Sequence, residues 1–351
     1  MVRRGAILPA GARVRILIVK RDKLGDLLLT TPVLRRLREA LPSAELHLLA
    51  NDYNAWVARD HPALTRTWTY PRVRDARRLR PLAAFAHIPV TLALRRQRFD
   101  VALVMNGEES PRAIRRALWT GARRVVAYAQ RGSRYGRGFT DALPVPNAGH
   151  EIDRMMALLA PLGIAPPSRA RDPEYTLPAS DAAFAREWLA ARGLARDRYV
   201  VIGLGARRAK KQPDTEQIVR WSARLWREHE LPTVFMWTPG ARDASRYPGD
   251  DDIAAPVLAR ALPYLHPFRG PIPEAIALLF HARTCILPDS GLMHFAAASP
   301  GGVLGLFADP ADSAPAARWA PRGPRARCIE AAQRVTELSD EQVFGTLAPL
   351  L

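Results

Sequence analysis

Short apolar runs alternate with helical stretches along the first half of the chain. The apolar runs have the length of buried strands, and they are Arg15–Val19, Glu45–Ala50, Val101–Met105 and Val125–Tyr128. Between them lie the helical stretches Val33–Leu41, whose leucines at 34, 37 and 41 follow helical spacing, and Pro111–Leu118. Thr31 and Pro32 mark the start of the first helix, because threonine caps helices and proline suits their first turn. This alternation predicts a parallel sheet with helices on both faces.

The alternation stops at Gln130 and resumes later in the chain. Residues 130–150 are rich in glycine, arginine and proline, which predicts a basic loop without a strand. An amphipathic helix, His150–Ala160, and a proline-containing linker at 165–168 follow. The later strands are Tyr199–Leu204, Thr233–Trp237, Thr284–Leu287 and Val303–Phe307, and the later helices are Glu216–Glu228, Pro273–His281 and Leu292–Ala298.

We therefore expect an α/β protein of two doubly wound domains, residues 1–167 and 168–351, that face each other across a cleft. In such sheets ligands bind beyond the carboxyl ends of the strands. Polar residues that directly follow a strand are therefore the candidates for a functional site.

Net charge and composition restrict the class of partner. The formal net charge is +18, and the excess of arginine is spread along the chain instead of forming a tail. Such a surface favours nucleic acid, anionic lipid headgroups or phosphorylated substrates, although an arginine-rich genome explains it equally well. Nucleic-acid binding has only this charge in its favour, because no aromatic and basic platform or recognition motif is present.

The cellular compartment follows from cysteine usage and from apolar stretches. Two cysteines imply no disulfide framework, and the stretch Ala6–Pro9 is too short for a signal sequence. The stretch Pro81–Leu94 is too short to span a bilayer. With Arg95 and Arg96 behind it, this stretch either packs within the protein, which we favour, or lies on a membrane surface. The histidines and cysteines lack metal-site spacing, and we expect a soluble, cytoplasmic protein.

Asp26 is the first candidate for chemistry. It follows Gly25 where the chain leaves the strand Arg15–Val19 and enters a helix. A carboxylate at a helix start is stabilised by free N–H groups, so Asp26 is interpreted as a helix cap. The alternative is a general base that accepts a proton from a hydroxyl.

The loop after the strand Tyr199–Leu204 suits a phosphate group. Gly203 and Gly205 allow backbone N–H groups to approach an anion, and Lys210 supplies positive charge. The spacing matches neither a P-loop nor a dinucleotide-binding motif, and a plain basic loop is an equally good interpretation.

A third candidate segment follows the strand Thr284–Leu287. Ser290 suits the cap of the next helix, which would leave Asp289 to accept hydrogen bonds from ligand hydroxyls. Gly291 begins that helix, whose dipole favours a diphosphate. His294 lies one turn inside, either as a packed core residue or as a contact to a diphosphate or sugar.

Together these segments resemble glycosyltransferase family 9, the ADP-heptose:lipopolysaccharide heptosyltransferases. The segments are ILIVKRDKLGDLLLTTPVLRRLRE, HEIDRMMALLAPLGI, GLGARRAKKQPDTEQ, DSGLMHFAAA and VLGLFADP. They occur in the family's order over residues 14–322. The combination of an N-terminal GD with a C-terminal DSGxMH is the most specific feature of the resemblance.

The resemblance implies a GT-B fold, in which the first domain binds the acceptor and the second binds the nucleotide sugar. It also implies an inverting displacement that needs neither a metal nor another cofactor. Asp26 matches the family's catalytic base, and Lys210 matches the lysine of its KxWP motif, which contacts the donor. The donor-binding DSGxxH segment corresponds to Asp289, Ser290, Gly291 and His294.

Three features depart from the family pattern, all on the donor side. The tryptophan of KxWP is Gln212 here, the hydroxyl residues before the lysine are Gly205 and Ala206, and the glycine-proline after the last strand is Ala308-Asp309. These departures leave open an alternative, a catalytically inactive protein of the same fold that binds a sugar nucleotide or a glycan.

The resemblance also gives the basic excess a use, because lipopolysaccharide core acceptors carry phosphates and acidic sugars. Arg35, Arg36 and Arg38 are expected to bind such groups, since arginine matches phosphate and carboxylate geometry. A solvated helix face is the alternative. The acceptor is anchored in lipid, so the protein is expected at the inner face of the inner membrane as a peripheral protein, with no nucleic-acid partner.

Overall fold

The computed structural model describes residues 14–73, 85–137, 141–168, 171–242, 248–312 and 315–351. The chain divides into two compact units, residues 1–171 and 172–351. The predicted domain boundary lies between residues 167 and 168. The segment Ala6–Pro9 and residues 81–84 of the apolar stretch lie outside the described residues.

The first unit contains a parallel six-stranded sheet with the order β3-β2-β1-β4-β5-β6. Its strands are β1 (Arg15–Val19), β2 (Glu45–Asn51), β3 (Arg66–Tyr70), β4 (Val101–Val104), β5 (Arg124–Ala129) and β6 (Asp141–Pro144). Its helices are α1 (Leu24–Leu28), α2 (Thr31–Ala40), α3 (His87–Arg96), α4 (Pro111–Trp119) and α5 (Glu151–Ala157). The central strands are buried almost completely, as expected when helices cover both faces of a sheet.

Both edge strands of this sheet were missed by the sequence analysis. β3, with the sequence RTWTY, is polar and partly exposed, and β6, with the sequence DALP, is short and ends in proline. Edge strands tolerate exposed polar residues and proline, so apolar periodicity does not reveal them. Because β6 lies inside residues 130–150, the prediction of a loop without a strand is wrong there.

The start of α2 differs from the prediction by one residue. Thr30, not Thr31, is the N-cap, and it makes no side-chain capping hydrogen bond. Pro32 lies in the first turn as expected. The Thr30 hydroxyl donates instead to the Asp26 carbonyl at 3.0 Å, which links the end of α1 to the start of α2.

α3 begins within the apolar stretch that was expected to pack inside the protein. Leu94 is buried and Val90 packs against the core, but Ile88 and Leu92 are exposed. The expected packing therefore holds for only one face of this helix. No helix in the described residues is long and apolar enough to cross a membrane.

The second unit contains another parallel six-stranded sheet, with the order β12-β11-β10-β7-β8-β9. Its strands are β7 (Val200–Gly203), β8 (Thr233–Met236), β9 (Leu265–Phe268), β10 (Thr284–Pro288), β11 (Val303–Ala308) and β12 (Ala326–Ala331). Its helices are α6 (Ala179–Ala190), α7 (Thr215–His229), α8 (Asp251–Ala259), α9 (Ile272–His281), α10 (Gly291–Ala297), α11 (Ala316–Trp319) and α12 (Asp340–Leu347). The edge strands β9 and β12 and the helices α6, α8, α11 and α12 were not predicted.

Counted within its own unit, each sheet has the strand order 3-2-1-4-5-6 of the Rossmann fold. The order reverses between β1 and β4 in the first unit and between β7 and β10 in the second. Ligands of doubly wound sheets bind at such reversal points, beyond the carboxyl ends of the strands.

Candidate active site

The first unit places the loop of residues 20–23 at its reversal point, directly after β1. Two buried side-chain amides hold the backbone of this loop. Asn51 Nδ2 donates to the Arg21 carbonyl at 2.6 Å, and Asn54 Nδ2 donates to the Asp22 carbonyl at 3.0 Å. These hydrogen bonds from buried residues give the loop a defined conformation.

The ammonium group of Lys20 is buried at the start of this loop. Its Nζ lies 3.2 Å from Asp22 Oδ2, and the same oxygen accepts a 2.6 Å hydrogen bond from Asn106 Nδ2. Burial by itself lowers the pKa of Lys20, but the carboxylates of Asp22, Asp26 and Glu151 outweigh it and raise the pKa above its usual range. Burial raises the pKa of Asp22, but Lys20 and the Asn106 amide outweigh it and lower the pKa. Both groups are therefore charged at neutral pH.

Asp26 is the third residue of α1, and its Oδ2 accepts a hydrogen bond from the Lys23 backbone N–H at 3.1 Å. The carboxylate therefore makes the contact expected of a residue at a helix start. Burial raises the pKa of Asp26, while the Lys20 charge lowers it and the Asp22 charge raises it, so that the pKa lies above its usual range. A carboxylate with a raised pKa binds a proton more readily, which suits a general base.

The segment HEIDRMM brings a further carboxylate to this end of the sheet. Glu151, at the start of α5, is buried, and its Oε1 accepts a 2.9 Å hydrogen bond from the Gly107 N–H. A Cβ atom on Gly107 would overlap the Glu151 carboxylate, so a larger residue there would displace this buried, hydrogen-bonded group. Arg154 donates to the Gly107 carbonyl at 3.3 Å. The middle segment of the resemblance is thus packed against the residues that follow β4.

The second unit brings Lys211 and Asp289 together at its own reversal point. Lys211 lies in the loop after β7, is buried, and forms an ion pair with Asp289, which directly follows β10. Asp289 is therefore paired with a cation. Ser290 is the N-cap of α10 but makes no side-chain capping hydrogen bond, contrary to expectation. Gly291 is the first residue of α10, and His294 is buried within it.

Lys210 faces a different pair of carboxylates. Its Nζ lies 2.5 Å from Asp309 Oδ2 and 2.7 Å from Asp312 Oδ2, and these hydrogen bonds raise the pKa of Lys210. Asp309 has a φ of 53°, which proline cannot adopt, so this loop conformation requires a residue other than proline at position 309. The adjacent lysines thus contact carboxylates that follow two neighbouring strands, β10 and β11.

Gln212 occupies the tryptophan position of the KxWP motif and organises the loop after β7. Its buried Nε2 lies 2.7 Å from the Leu204 carbonyl, 3.1 Å from the Ala206 carbonyl and 2.6 Å from Asp250 Oδ1. The other Asp250 oxygen accepts a 2.9 Å hydrogen bond from the Thr238 N–H. Burial raises the pKa of Asp250 although these hydrogen bonds oppose it. An amide thus fixes the loop where the family has an aromatic side chain.

The two glycines of this loop have different surroundings. A Cβ atom on Gly203 would lie 2.6 Å from a Leu287 methyl group, so glycine permits close packing of β7 on β10. A Cβ atom on Gly205 would have Thr238 Oγ1 as its nearest neighbour, at 4.0 Å. Packing therefore does not require glycine at position 205.

The arginines of α2 make contacts within the first unit. Arg38 donates through Nη1 to the Pro42 and Ala44 carbonyls at 2.7 and 2.8 Å, and through Nη2 to the Ala63 carbonyl at 2.9 Å. Arg36 donates to the Ala165 carbonyl at 3.1 Å. These contacts stabilise the unit itself, and acceptor binding by Arg35, Arg36 and Arg38 stays a prediction.

The sequence analysis missed several residues that lie around Asp26 in the first unit or around the loop after β7 in the second unit. They are Lys20, Asn51, Asn106, Glu151 and Asp250. For Lys20 the sequence contains a signal, because a lysine that directly follows an apolar strand lies at the carboxyl end of the sheet. For Asn106, Glu151 and Asp250 the sequence contains no such signal, because each contacts the other site residues only through the packing of segments that are distant in the chain.

Comparison with known proteins identifies related chains. The model of glycosyltransferase family 9 (heptosyltransferase) matches residues 90–347. Lipopolysaccharide heptosyltransferase 3 of Escherichia coli is 27% identical over 295 residues, which cover 81% of this chain and 80% of that protein.

Solved structures show the same fold. The glycosyl transferase family 9 protein from Veillonella parvula has a TM-score of 0.80 at 17% identity, covering 98% of this chain and 99% of that chain. The Escherichia coli heptosyltransferase WaaC, solved with ADP-2-deoxy-2-fluoro heptose, has a TM-score of 0.69 at 18% identity, covering 96% and 100%. The predicted GT-B fold with two Rossmann-like domains is confirmed.

Proposed function

The chain belongs to glycosyltransferase family 9 (heptosyltransferase), and we propose that it transfers a heptose, or a related sugar, from ADP-heptose to a lipopolysaccharide core acceptor. The name of the Escherichia coli relative supports the acceptor class, and the ligand of the WaaC structure supports the donor. The net charge of +18 also suits a phosphorylated acceptor.

We assign Asp26 as the general base. In the proposed reaction its carboxylate takes the proton of the acceptor hydroxyl, whose oxygen bonds to the anomeric carbon as the bond to the nucleotide diphosphate breaks. A single displacement of this kind inverts the configuration and has an oxocarbenium-like transition state. A positioned base typically contributes about 10²- to 10⁴-fold to the rate. The position of Asp26 in α1, next to the buried Lys20–Asp22 pair at the reversal point of the first sheet, is the observation on which this assignment rests, and the direction of its pKa shift agrees with it.

We assign the donor to the loops after β7, β10 and β11. Lys210 and its partner Asp312 are accessible, so a diphosphate can replace the carboxylates around this lysine. The positive charge then stabilises the diphosphate as it leaves. Lys211 is less accessible and keeps Asp289 oriented, so that this carboxylate can accept hydrogen bonds from donor hydroxyls. Ser290 and Gly291 directly follow Asp289, His294 lies within α10, and Gly205 lies in the loop after β7, so all four are assigned to the donor side.

The proposed location is the cytoplasm, with peripheral attachment to the inner face of the inner membrane, where a lipid-anchored acceptor is accessible. The activity is tested by adding ADP-heptose and a truncated lipopolysaccharide to the purified chain. We expect release of ADP together with an acceptor that is heavier by one heptose. A thermal-shift screen of ADP-, UDP- and GDP-sugars identifies the nucleotide independently of turnover.

An inactive sugar-nucleotide or glycan-binding protein is the alternative outcome of this assay. If a donor stabilises the chain against thermal unfolding but no core acceptor receives a sugar, the chain is a binding protein and not the proposed enzyme. The buried hydrogen bonds of Gln212 argue against a degenerate donor loop, because the substituted side chain has taken a structural role of its own.

A further inference from the structure

We propose that the outer faces of α3 and α4 form a docking surface for an anionic lipid bilayer. We define this α3–α4 surface by its exposed residues, Phe85, Ile88, Leu92, Arg95, Arg96, Arg112, Arg115 and Trp119. The proposal deepens the proposed function, since a lipid-anchored acceptor requires the enzyme to work at a membrane.

α3 presents an apolar stripe that continues into a basic one. Ile88 and Leu92 lie one turn apart on α3 and are 56 and 50% exposed, and Phe85, in the turn just before α3, is 67% exposed. Arg95 and Arg96 extend the same stripe by one turn. The opposite face packs on the sheet through Val90 and Leu94. The exposed apolar and basic side chains therefore lie on the face of α3 opposite to the one that packs on the sheet.

α4 repeats this arrangement beside α3. Its inner face buries Ala113, Ile114 and Ala117, and its outer stripe consists of Arg112, Arg115 and Trp119, the last 53% exposed. The buried residues of both helices belong to one hydrophobic cluster on one face of the sheet. The outer stripes therefore belong to one side of the first unit.

Contacts between the two helices join α3 to the last turn of α4 and to the residues directly after it. Arg116 Nη2 of α4 lies 3.5 Å from His87 Nδ1 of α3, and both side chains pack on Tyr70. Arg95 Nε would lie 3.8 Å from a Cβ atom on Gly121, just beyond the end of α4. α3 therefore lies beside the C-terminal end of α4.

The residue types on the α3–α4 surface indicate a lipid bilayer as its partner. Of the five large hydrophobic side chains that are most exposed in the described residues, four lie on this surface. The helices HIPVTLALRR and PRAIRRALW contain no acidic residue. Apolar and aromatic side chains among arginines match the boundary between acyl chains and anionic headgroups. A second copy of this chain would bring arginines against arginines, which disfavours a symmetric dimer.

Vesicle flotation of the full chain, without donor or acceptor, tests the proposal. We expect binding to phosphatidylcholine vesicles that contain phosphatidylglycerol, weaker binding to pure phosphatidylcholine, and a loss of binding at high salt. Arg95→Gln with Arg96→Gln should weaken binding about 10- to 30-fold. Phe85→Ser, Ile88→Ser and Leu92→Ser together should abolish flotation while leaving the secondary structure unchanged.

Matched controls are available in the second unit. Arg196→Gln with Arg198→Gln removes the same charge from exposed positions, and Trp226→Ser removes an exposed aromatic residue. Both controls should bind vesicles like the wild type. The proposal is overturned if the wild type does not float, if the α3–α4 variants float as well as the controls, or if they abolish a concentration-dependent dimer instead. Transfer to a delipidated core oligosaccharide, assayed separately, shows whether the proposed activity fails independently of membrane docking.

Discussion

The Lys20 Nζ lies 3.2 Å from Asp22 Oδ2, with only 1% of the lysine side chain exposed. A buried cation of this kind persists only when carboxylates compensate for its lost hydration. Asp22, Asp26 and Glu151 together raise the pKa of Lys20 in spite of its burial. The environment of the proposed base therefore combines burial with the charge of a lysine that is close in space and six residues earlier in the chain.

Asp26→Asn should lower kcat by about 10²- to 10⁴-fold, because the amide cannot accept the acceptor proton. Donor affinity should remain nearly unchanged, since the donor residues belong to other loops. Steady-state kinetics and calorimetric donor titration measure the two effects separately. Full activity of this variant would exclude Asp26 from the mechanism.

The pH profile should respond to the neighbours of Asp26 in opposite directions. The Asp22 charge raises the pKa of Asp26 and the Lys20 charge lowers it. Asp22→Asn should therefore shift the acid limb of kcat/KM to lower pH, and Lys20→Met should shift it to higher pH. If Asp22 and Lys20 had only a structural role, the substitutions would reduce the rate but leave the acid limb of the kcat/KM profile at the same pH. Equal shifts in one direction would contradict the assignment.

Lys211→Met should destabilise the second unit by about 3 kcal/mol, because it leaves the largely buried Asp289 carboxylate without its cation. Lys210→Met is the matched control. Its ion pairs are accessible to water, so its effect on the free energy of unfolding should be much smaller. Chemical denaturation, followed by tryptophan fluorescence, measures the free energy of unfolding of both variants. Equal losses would contradict the different roles given to Lys211 and Lys210.

Gln212→Leu should lower the free energy of unfolding by about 1–3 kcal/mol, since buried acceptors lose their donor. In the wild type, the hydrogen bond from Gln212 lowers the pKa of Asp250, which burial raises. Because the variant lacks this hydrogen bond, the pKa of Asp250 should rise further. A carboxyl group with a raised folded-state pKa destabilises more at higher pH, so the deficit should shrink as pH falls. Gln333→Leu, at an exposed position, is the control and should have little effect.

Gly107→Ala should destabilise the first unit by about 1–3 kcal/mol, because the new methyl group would displace the buried Glu151 carboxylate. Gly345→Ala places the same methyl group on an exposed helix position with open space around it. That control should raise the free energy of unfolding by about 0.5–1 kcal/mol. Thermal and chemical unfolding of both variants provide the comparison.

The sequence alone determined the α/β class and the buried strands β1, β2, β4, β5, β7, β8, β10 and β11, and it indicated the segments of the candidate site. Buried strands are detectable because each is a local apolar run, and loops after strands lie at a known edge of the sheet. The polar edge strands have no such local pattern, and the apolar stretch of α3 does not by itself show which of its faces is exposed. Periodicity shows that a helix has an apolar face, but not which neighbour covers it.

Only the tertiary structure decided which charges face each other. Lys20, Asn106 and Glu151 are far apart in the chain, and their mutual effects depend on distances in space after burial has removed water. The same holds for Lys210 and Lys211, adjacent in sequence but directed to carboxylates of different strands. Residue type determines which groups can ionise, while packing determines which of them are buried and with which partner.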